Sequence, residues 1–129
     1  MITLKEQRTE AILCAFYDSL KSSRAENVNI GQYEVFGKTI NSRAPQFYTT
    51  VERAQRYVSL LERGLKLPIK DTNKIKMYKE IYKRYIAIKN RCPAVKYSVI
   101  EQIINEPAPS FYVSPFTIRR IVYNSLKRR

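Results

Sequence analysis

The chain has no histidine and no tryptophan, and only two cysteines and three glycines among its 129 residues. Each shortage removes a class of chemistry. Without histidine, the side chain that titrates nearest neutral pH and most often serves as general acid or base is missing. A zinc site would have to start from Cys14 and Cys92, which have no CxxC spacing, and there is no imidazole to complete it. Gly31, Gly37 and Gly64 do not form a phosphate-cradling loop. The 11 acidic residues are scattered, and no two stand out as an acid/base pair. An enzyme is therefore not expected, nor a cofactor, a metal or a small-molecule substrate. Long apolar runs are also missing, so no segment approaches the roughly 20 residues a membrane span needs. The first ten residues, MITLKEQRTE, lack the charged-then-apolar layout of a secretion signal, and the expected location is the cytoplasm. Cys14, flanked by Ala11, Ile12, Leu13, Ala15 and Phe16, is expected to behave as a small core residue.

Positive charge is abundant: 24 Lys and Arg against 11 Asp and Glu, a net charge of +13. Residues 1–64 hold 9 basic and 7 acidic side chains, a net of +2, whereas residues 65–129 hold 15 and 4, a net of +11. Such an imbalance carries a self-repulsion cost and points to an anionic partner for the second half.

The chain also repeats itself. A shift of 64 residues makes ten of 26 positions identical between 33–58 and 97–122. Among them are Tyr33/Tyr97, Val35/Val99, Ile40/Ile104, Ala44/Ala108, Pro45/Pro109, Phe47/Phe111, Tyr48/Tyr112 and Val58/Val122. Unrelated sequence would give about one or two such matches. Upstream, a shift of 65 pairs Ile12/Met77, Phe16/Ile81, Tyr17/Tyr82 and Leu20/Tyr85, so one residue has been gained or lost between the copies. This is a tandem repeat of one supersecondary unit.

Each copy reads as three helices. In the first, Ile12, Phe16 and Leu20 follow a helical period over about 4–23. Tyr33, Phe36 and Ile40 mark a short helix over about 32–42, and Ala54, Tyr57, Val58 and Leu61 mark a third over about 51–63. Gly64 is placed to stop that helix. The second copy predicts helices over about 72–90, 95–105 and 115–127. No apolar alternation persists, so strands are not expected. The expected fold is all-α: two tandem three-helix repeats, 1–64 near-neutral and 65–129 strongly basic, packed as one unit.

Between the second and third helix of each copy stands the same joint, APQFY at 44–48 and APSFY at 108–112. Proline ends the preceding helix and holds the residue before it extended. Ser114 followed by Pro115 reads as a helix cap with proline in the first turn, and Val113 with Ile118 has the spacing of a hydrophobic staple. Thr50 holds the cap position in the first copy, with Thr49 and Glu52 as a competing capping box. Phe47 and Phe111 are expected to plug the core.

The stretch FYVSPFTIRRIVYN at 111–124 resembles the turn and recognition helix of helix-turn-helix DNA-binding proteins: a small apolar residue and a serine cap lead into a helix with threonine, a β-branched residue and consecutive arginines. The resemblance implies that Ser114, Phe116, Thr117, Arg119 and Arg120 face DNA, while Ile118, Ile121 and Val122 face the core. The preceding joint, EPAPSFYVS, is longer than the three- or four-residue turn of that family. PAPSFYVS followed by a basic helix is also similar to short basic proteins of phages and bacterial mobile elements. That similarity implies a phage or mobile-element origin, and a place in the cytoplasm or within a phage particle. Two further features fit a phosphate backbone. Lys76, Lys79 and Lys83 line one side of a helix opposite its tyrosines, and Lys127, Arg128 and Arg129 close the chain. The expected partner is DNA. RNA shares the electrostatics, and a structural or adaptor role in a homo-oligomer or larger assembly is the alternative.

Overall fold

The computed structural model describes residues 3–25, 32–91 and 94–127. It contains six helices: α1 (Leu4–Ala25), α2 (Gln32–Ile40), α3 (Val51–Glu62), α4 (Thr72–Lys89), α5 (Lys96–Ile104) and α6 (Pro115–Lys127). The fold is all-α, with no strand among the described residues. No described helix is long and apolar enough to cross a membrane. Cys92, Arg128 and Arg129 lie outside the described residues.

Local chemistry fixes the helix ends. The Arg53 amide donates to the Thr50 hydroxyl at 3.2 Å, and the Asn73 and Lys74 amides donate to the Asp71 carboxylate at 2.9 and 3.3 Å. The Thr117 amide donates to the Ser114 hydroxyl at 3.2 Å, with Pro115 opening α6 where no donor is lost. At the end of α3, Gly64 takes φ 71°, so its amide reaches the Leu61 carbonyl and the Leu65 amide reaches that of Leu60, both at 3.0 Å. This pair of bonds satisfies carbonyls that a helix end otherwise leaves open, in a left-handed conformation that glycine enters without a Cβ clash. Thr49 does not cap α3. It is buried, and its hydroxyl shares a 2.8 Å hydrogen bond with Tyr78, which leaves the cap to the exposed Thr50.

The chain divides into two packed units, one of residues 1–44 with 109–129, the other of residues 45–108. In the first, α1 and α2 pack on each other and on α6; in the second, α3, α4 and α5 pack together. These units do not coincide with the sequence copies at 1–64 and 65–129. Each unit takes the first two helices of one copy and the third helix of the other. Both boundaries fall between the alanine and the proline of the repeated joint, at Ala44/Pro45 and Ala108/Pro109.

Eight matched pairs of the two copies are buried on both sides. Val35 and Val99, Phe36 and Ile100, Ala44 and Ala108, Phe47 and Phe111, Ala54 and Ile118, and Val58 and Val122 are all buried. So are Ile12 with Met77 and Phe16 with Ile81. The joints make matched backbone bonds too: the Phe47 amide donates to the Ile104 carbonyl at 2.9 Å, and the Phe111 amide to the Ile40 carbonyl at 3.4 Å. Each bond lies within one unit and supplies a donor to the last residue of a short helix, where carbonyls lack intrahelical partners. The backbone of the second joint departs at Tyr112, which takes φ 54°, a left-handed conformation uncommon for a side chain of its size.

Cys14 is exposed rather than buried. Successive residues of a helix turn by about 100°, so the line through Ile12 and Phe16 that faces the core leaves Cys14 on the opposite side.

Phe47, 1% exposed, should be among the costliest side chains to remove. Phe47→Ala is expected to lower the unfolding free energy by about 3–5 kcal/mol. Val95→Ala, at a position 71% exposed, should stay within about 0.5 kcal/mol of the parent. Urea titration followed by circular dichroism measures both.

Candidate nucleic-acid interface

In the first unit, α6 turns Ile118 and Val122 into the core and a different set outward. Phe116, Arg119, Arg120, Tyr123 and Lys127 are all exposed. Their spacing of three, four, seven and eleven residues places them within an arc of about 100° on the side away from Ile118. Phe116 is 68% exposed, unusual for a phenylalanine, and Leu126 beside this arc is 49% exposed. The Arg119 guanidinium lies 5.3 Å from the centre of the Tyr123 ring. No acidic residue occurs in α6, and among the described residues no carboxylate pairs with Arg119, Arg120 or Lys127.

Ser114 and Thr117, grouped with these residues by the helix-turn-helix resemblance, sit differently. Both are half-buried, and their hydroxyls lie 3.1 Å apart in a mutual hydrogen bond while Ser114 also caps the helix. Their polar atoms serve the helix start. Phe116, Arg119 and Arg120 are the members of that group that point to solvent.

In the second unit, Lys76, Lys79 and Lys83 of α4 are exposed, whereas Met77, Tyr78, Ile81 and Tyr85 are buried. The three lysines fall within an arc of about 60°, roughly opposite the buried face. No described carboxylate pairs with any of them. This stripe and the α6 face belong to different units, and each stands as a surface in its own right.

The contrast along the chain, +2 against +11, does not survive packing. Because α6 belongs with α1 and α2, the first unit contains 11 basic and 5 acidic residues, a net of +6. The second contains 13 and 6, a net of +7. Neither unit is near-neutral.

Some cations are committed to the fold. In the second unit Glu62, near the end of α3, pairs with Lys96 at the start of α5 and at 3.1 Å with Lys89 at the end of α4. Lys96 also donates to the Ser59 hydroxyl at 2.7 Å and lies 5.5 Å from the Tyr85 ring. The Lys96 hydrogen bond, foremost, and those to Lys89 hold the Glu62 carboxyl below its ordinary range, against a partial desolvation that opposes them. One carboxylate thus ties three helices together. Its counterparts on α6 are different: Ser59 corresponds to Tyr123 and Glu62 to Leu126, both exposed. A second knot, Arg84, pairs with Glu80 at 3.2 Å and Glu106 at 3.7 Å, donates to the Pro107 carbonyl at 3.1 Å and stacks on Phe47 at 4.9 Å. Apart from the Glu80–Arg84 pair, four residues apart on α4, neither knot shows in helical periodicity, because the remaining partners stand 22 to 37 residues apart. Exposed Tyr123 was within reach of a helical projection, which sets it about 140° from Ile118, whereas exposed Leu126 projects only about 80° from it.

Among the described residues, no three His, Cys, Asp or Glu side chains come together as a metal site would require. No protein-family model matches the chain, and neither does a curated protein or a solved structure.

A glutamate whose folded pKa is lowered stabilises the fold fully above its unfolded value and loses that contribution as pH falls through the folded value. The Glu62 contribution is therefore complete above about pH 4.5 and fades below it. Glu62→Gln is expected to lower the Tm at neutral pH and to make the acid-side fall in Tm shallower. Thermal melts at intervals from about pH 7 to pH 3 compare the two slopes.

Proposed function

We propose that this is a non-enzymatic nucleic-acid-binding protein with duplex DNA as its first ligand, engaging phosphates through the outward face of α6. The observation that carries this reading is the α6 face itself. Arg119, Arg120 and Lys127 lie within one exposed arc on a helix without a single carboxylate, whereas the matching helix α3 carries Glu52 and Glu62. Cations left without internal partners keep their full capacity to displace counterions from a phosphate backbone. The Lys76, Lys79 and Lys83 stripe offers a second set of phosphate contacts of the same kind, and Arg128 and Arg129 continue the basic sequence. Phosphate contacts position a protein on a duplex without reading its sequence, so affinity with modest base selectivity is the expected behaviour. The outward Phe116 adds an apolar group of a kind that nucleic-acid-binding proteins use against bases.

A second reading, a structural or adaptor component of a larger assembly, rests on a separate observation. Phe116, Tyr123 and Leu126 expose an apolar edge along α6 that a protein partner would cover. Sizing of the purified chain separates the two: a large salt-resistant oligomer favours assembly, and a monomer or dimer with salt-sensitive DNA binding favours the first.

In gel-shift titrations at low salt the chain should retard duplex DNA, with log K falling against log salt at a slope of about −3 or steeper, the value for three phosphate contacts. Arg119→Ala with Arg120→Ala should reduce the slope by about 2 and weaken binding more than Arg53→Ala with Arg56→Ala does. No complex at low salt would sink the proposal. Equal losses from both double variants would remove α6 from its leading role.

A further inference from the structure

The two units were built from copies of one sequence, so each serves as a control for the other. In the second unit the space between α4 and the end of α5 is filled by Arg84, held by Glu80, Glu106 and the Pro107 carbonyl. The matching positions of the first unit are Ser19 for Arg84, Ala15 for Glu80, Ser42 for Glu106 and Arg43 for Pro107. The long plug has become a serine, and both of its carboxylate partners are gone. The first unit has an open cleft there of about 390 Å³, lined by Asp18, Ser19, Ser22, Lys38, Ser42 and Arg43.

We propose that this cleft between α1 and the end of α2 is a binding site for a phosphate group. The polarity of the position has inverted. Where the second unit holds an arginine between two carboxylates, the first presents two cations and free hydroxyl donors. Lys38 and Arg43 are exposed, and no described carboxylate pairs with either. The Ser19 and Ser22 hydroxyls make no hydrogen bond to a described residue and keep their donors for a ligand. Ser42 instead donates to the Lys38 carbonyl at 2.8 Å, which ties the mouth of the cleft to the last turn of α2. Lys38 reaches back to the Ser23 hydroxyl at 3.4 Å, so its ammonium lies along the α1 side. Ammonium, guanidinium and hydroxyl donors around one opening match the acceptor oxygens of a phosphate. Asp18 is the opposing group, and its carboxylate weakens the site. The inference stands on the lining of the cleft. Only the source of the phosphate, a nucleic-acid backbone or a small phosphate-bearing molecule, depends on the reading of α6.

The test is a titration of the ¹⁵N-labelled full chain with inorganic phosphate, against chloride at matched ionic strength, read from backbone amide shifts. Saturable shifts are expected at Ser19, Ser22, Lys38 and Ser42. Lys38→Ala with Arg43→Ala should abolish them. Asp18→Asn should tighten binding about fivefold by removing one nearby like charge. Thermal melts establish that each variant folds, so that a lost shift reports the site. Arg119→Ala with Arg120→Ala should leave the phosphate shifts intact, which separates this site from the α6 face. A short duplex that moves the same amides identifies the backbone as the source. A duplex that leaves them unmoved, while phosphate moves them, assigns the cleft to a small phosphate-bearing ligand. Shifts no different from chloride, or shifts that survive the Lys38→Ala with Arg43→Ala double variant, overturn the proposal.

Discussion

The architecture depends on a proline that forbids a helix to continue and a neighbouring amide that says where the chain goes next. Pro45 and Pro109 end any helical path after α2 and α5. Two residues later, Phe47 donates its amide to the Ile104 carbonyl and Phe111 donates to that of Ile40. Each joint therefore closes the end of a short helix that belongs to the other sequence copy. A phenylalanine ring accompanies each amide into the core, so the polar bond and the apolar burial specify the same path. The third helix of each copy follows its joint and packs against the first two helices of the other copy.

The two sequence copies share much of their buried pattern but not their surface. The core positions kept their apolar character, as Val35 and Val99 or Val58 and Val122 illustrate. The polar positions diverged in one direction. The second unit pairs three of its cations internally, through Glu62 with Lys89 and Lys96 and through Arg84 with Glu80 and Glu106. At the matching places the first unit carries Leu126, Ser19, Ala15 and Ser42, none of which can form such pairs. Internal knots stabilise modestly at half-exposed positions, yet they remove cations from the surface. At the matching places the first unit has an open cleft beside α1 and α2 and an exposed Tyr123 and Leu126 on α6.

The helices were legible because their signals are local. Apolar spacing, a proline after a serine, and a glycine at a left-handed position each act within about one turn, and the six spans follow from them within one or two residues. The exchange of third helices was not legible from the same signals. Ala54, Val58, Ile118 and Val122 make either α3 or α6 amphipathic, whichever pair of helices receives it. The charge pattern misled for the same reason: an excess in the second half of the sequence is not an excess in one packed unit once α6 crosses over. In the candidate interface, Phe116, Arg119, Arg120 and Lys127 could be placed on one face by counting residues. The inward engagement of Ser114 and Thr117 needed three dimensions, because a capping hydroxyl and a contacting hydroxyl look alike in sequence.

The discontinuity of the first unit bears on the order in which the chain can assemble. Residues 45–108 are contiguous and hold all three helices of their unit, whereas α1 and α2 must wait for α6. At ribosomal rates that delay is on the order of 3–13 s, and in the interval the related helix α3 is already present. One pair of matched residues, each 0% exposed, differs in size: Ala54 on α3 and Ile118 on α6. Seated against α1 and α2, α3 would leave a void three carbons deep where the isoleucine belongs, a penalty of about 2–5 kcal/mol by the cost of comparable truncations. Conversely, α6 would overfill the site shaped around Ala54. Side-chain volume at this pair thus joins the polar difference between Glu62 and Leu126 in setting the two helices apart.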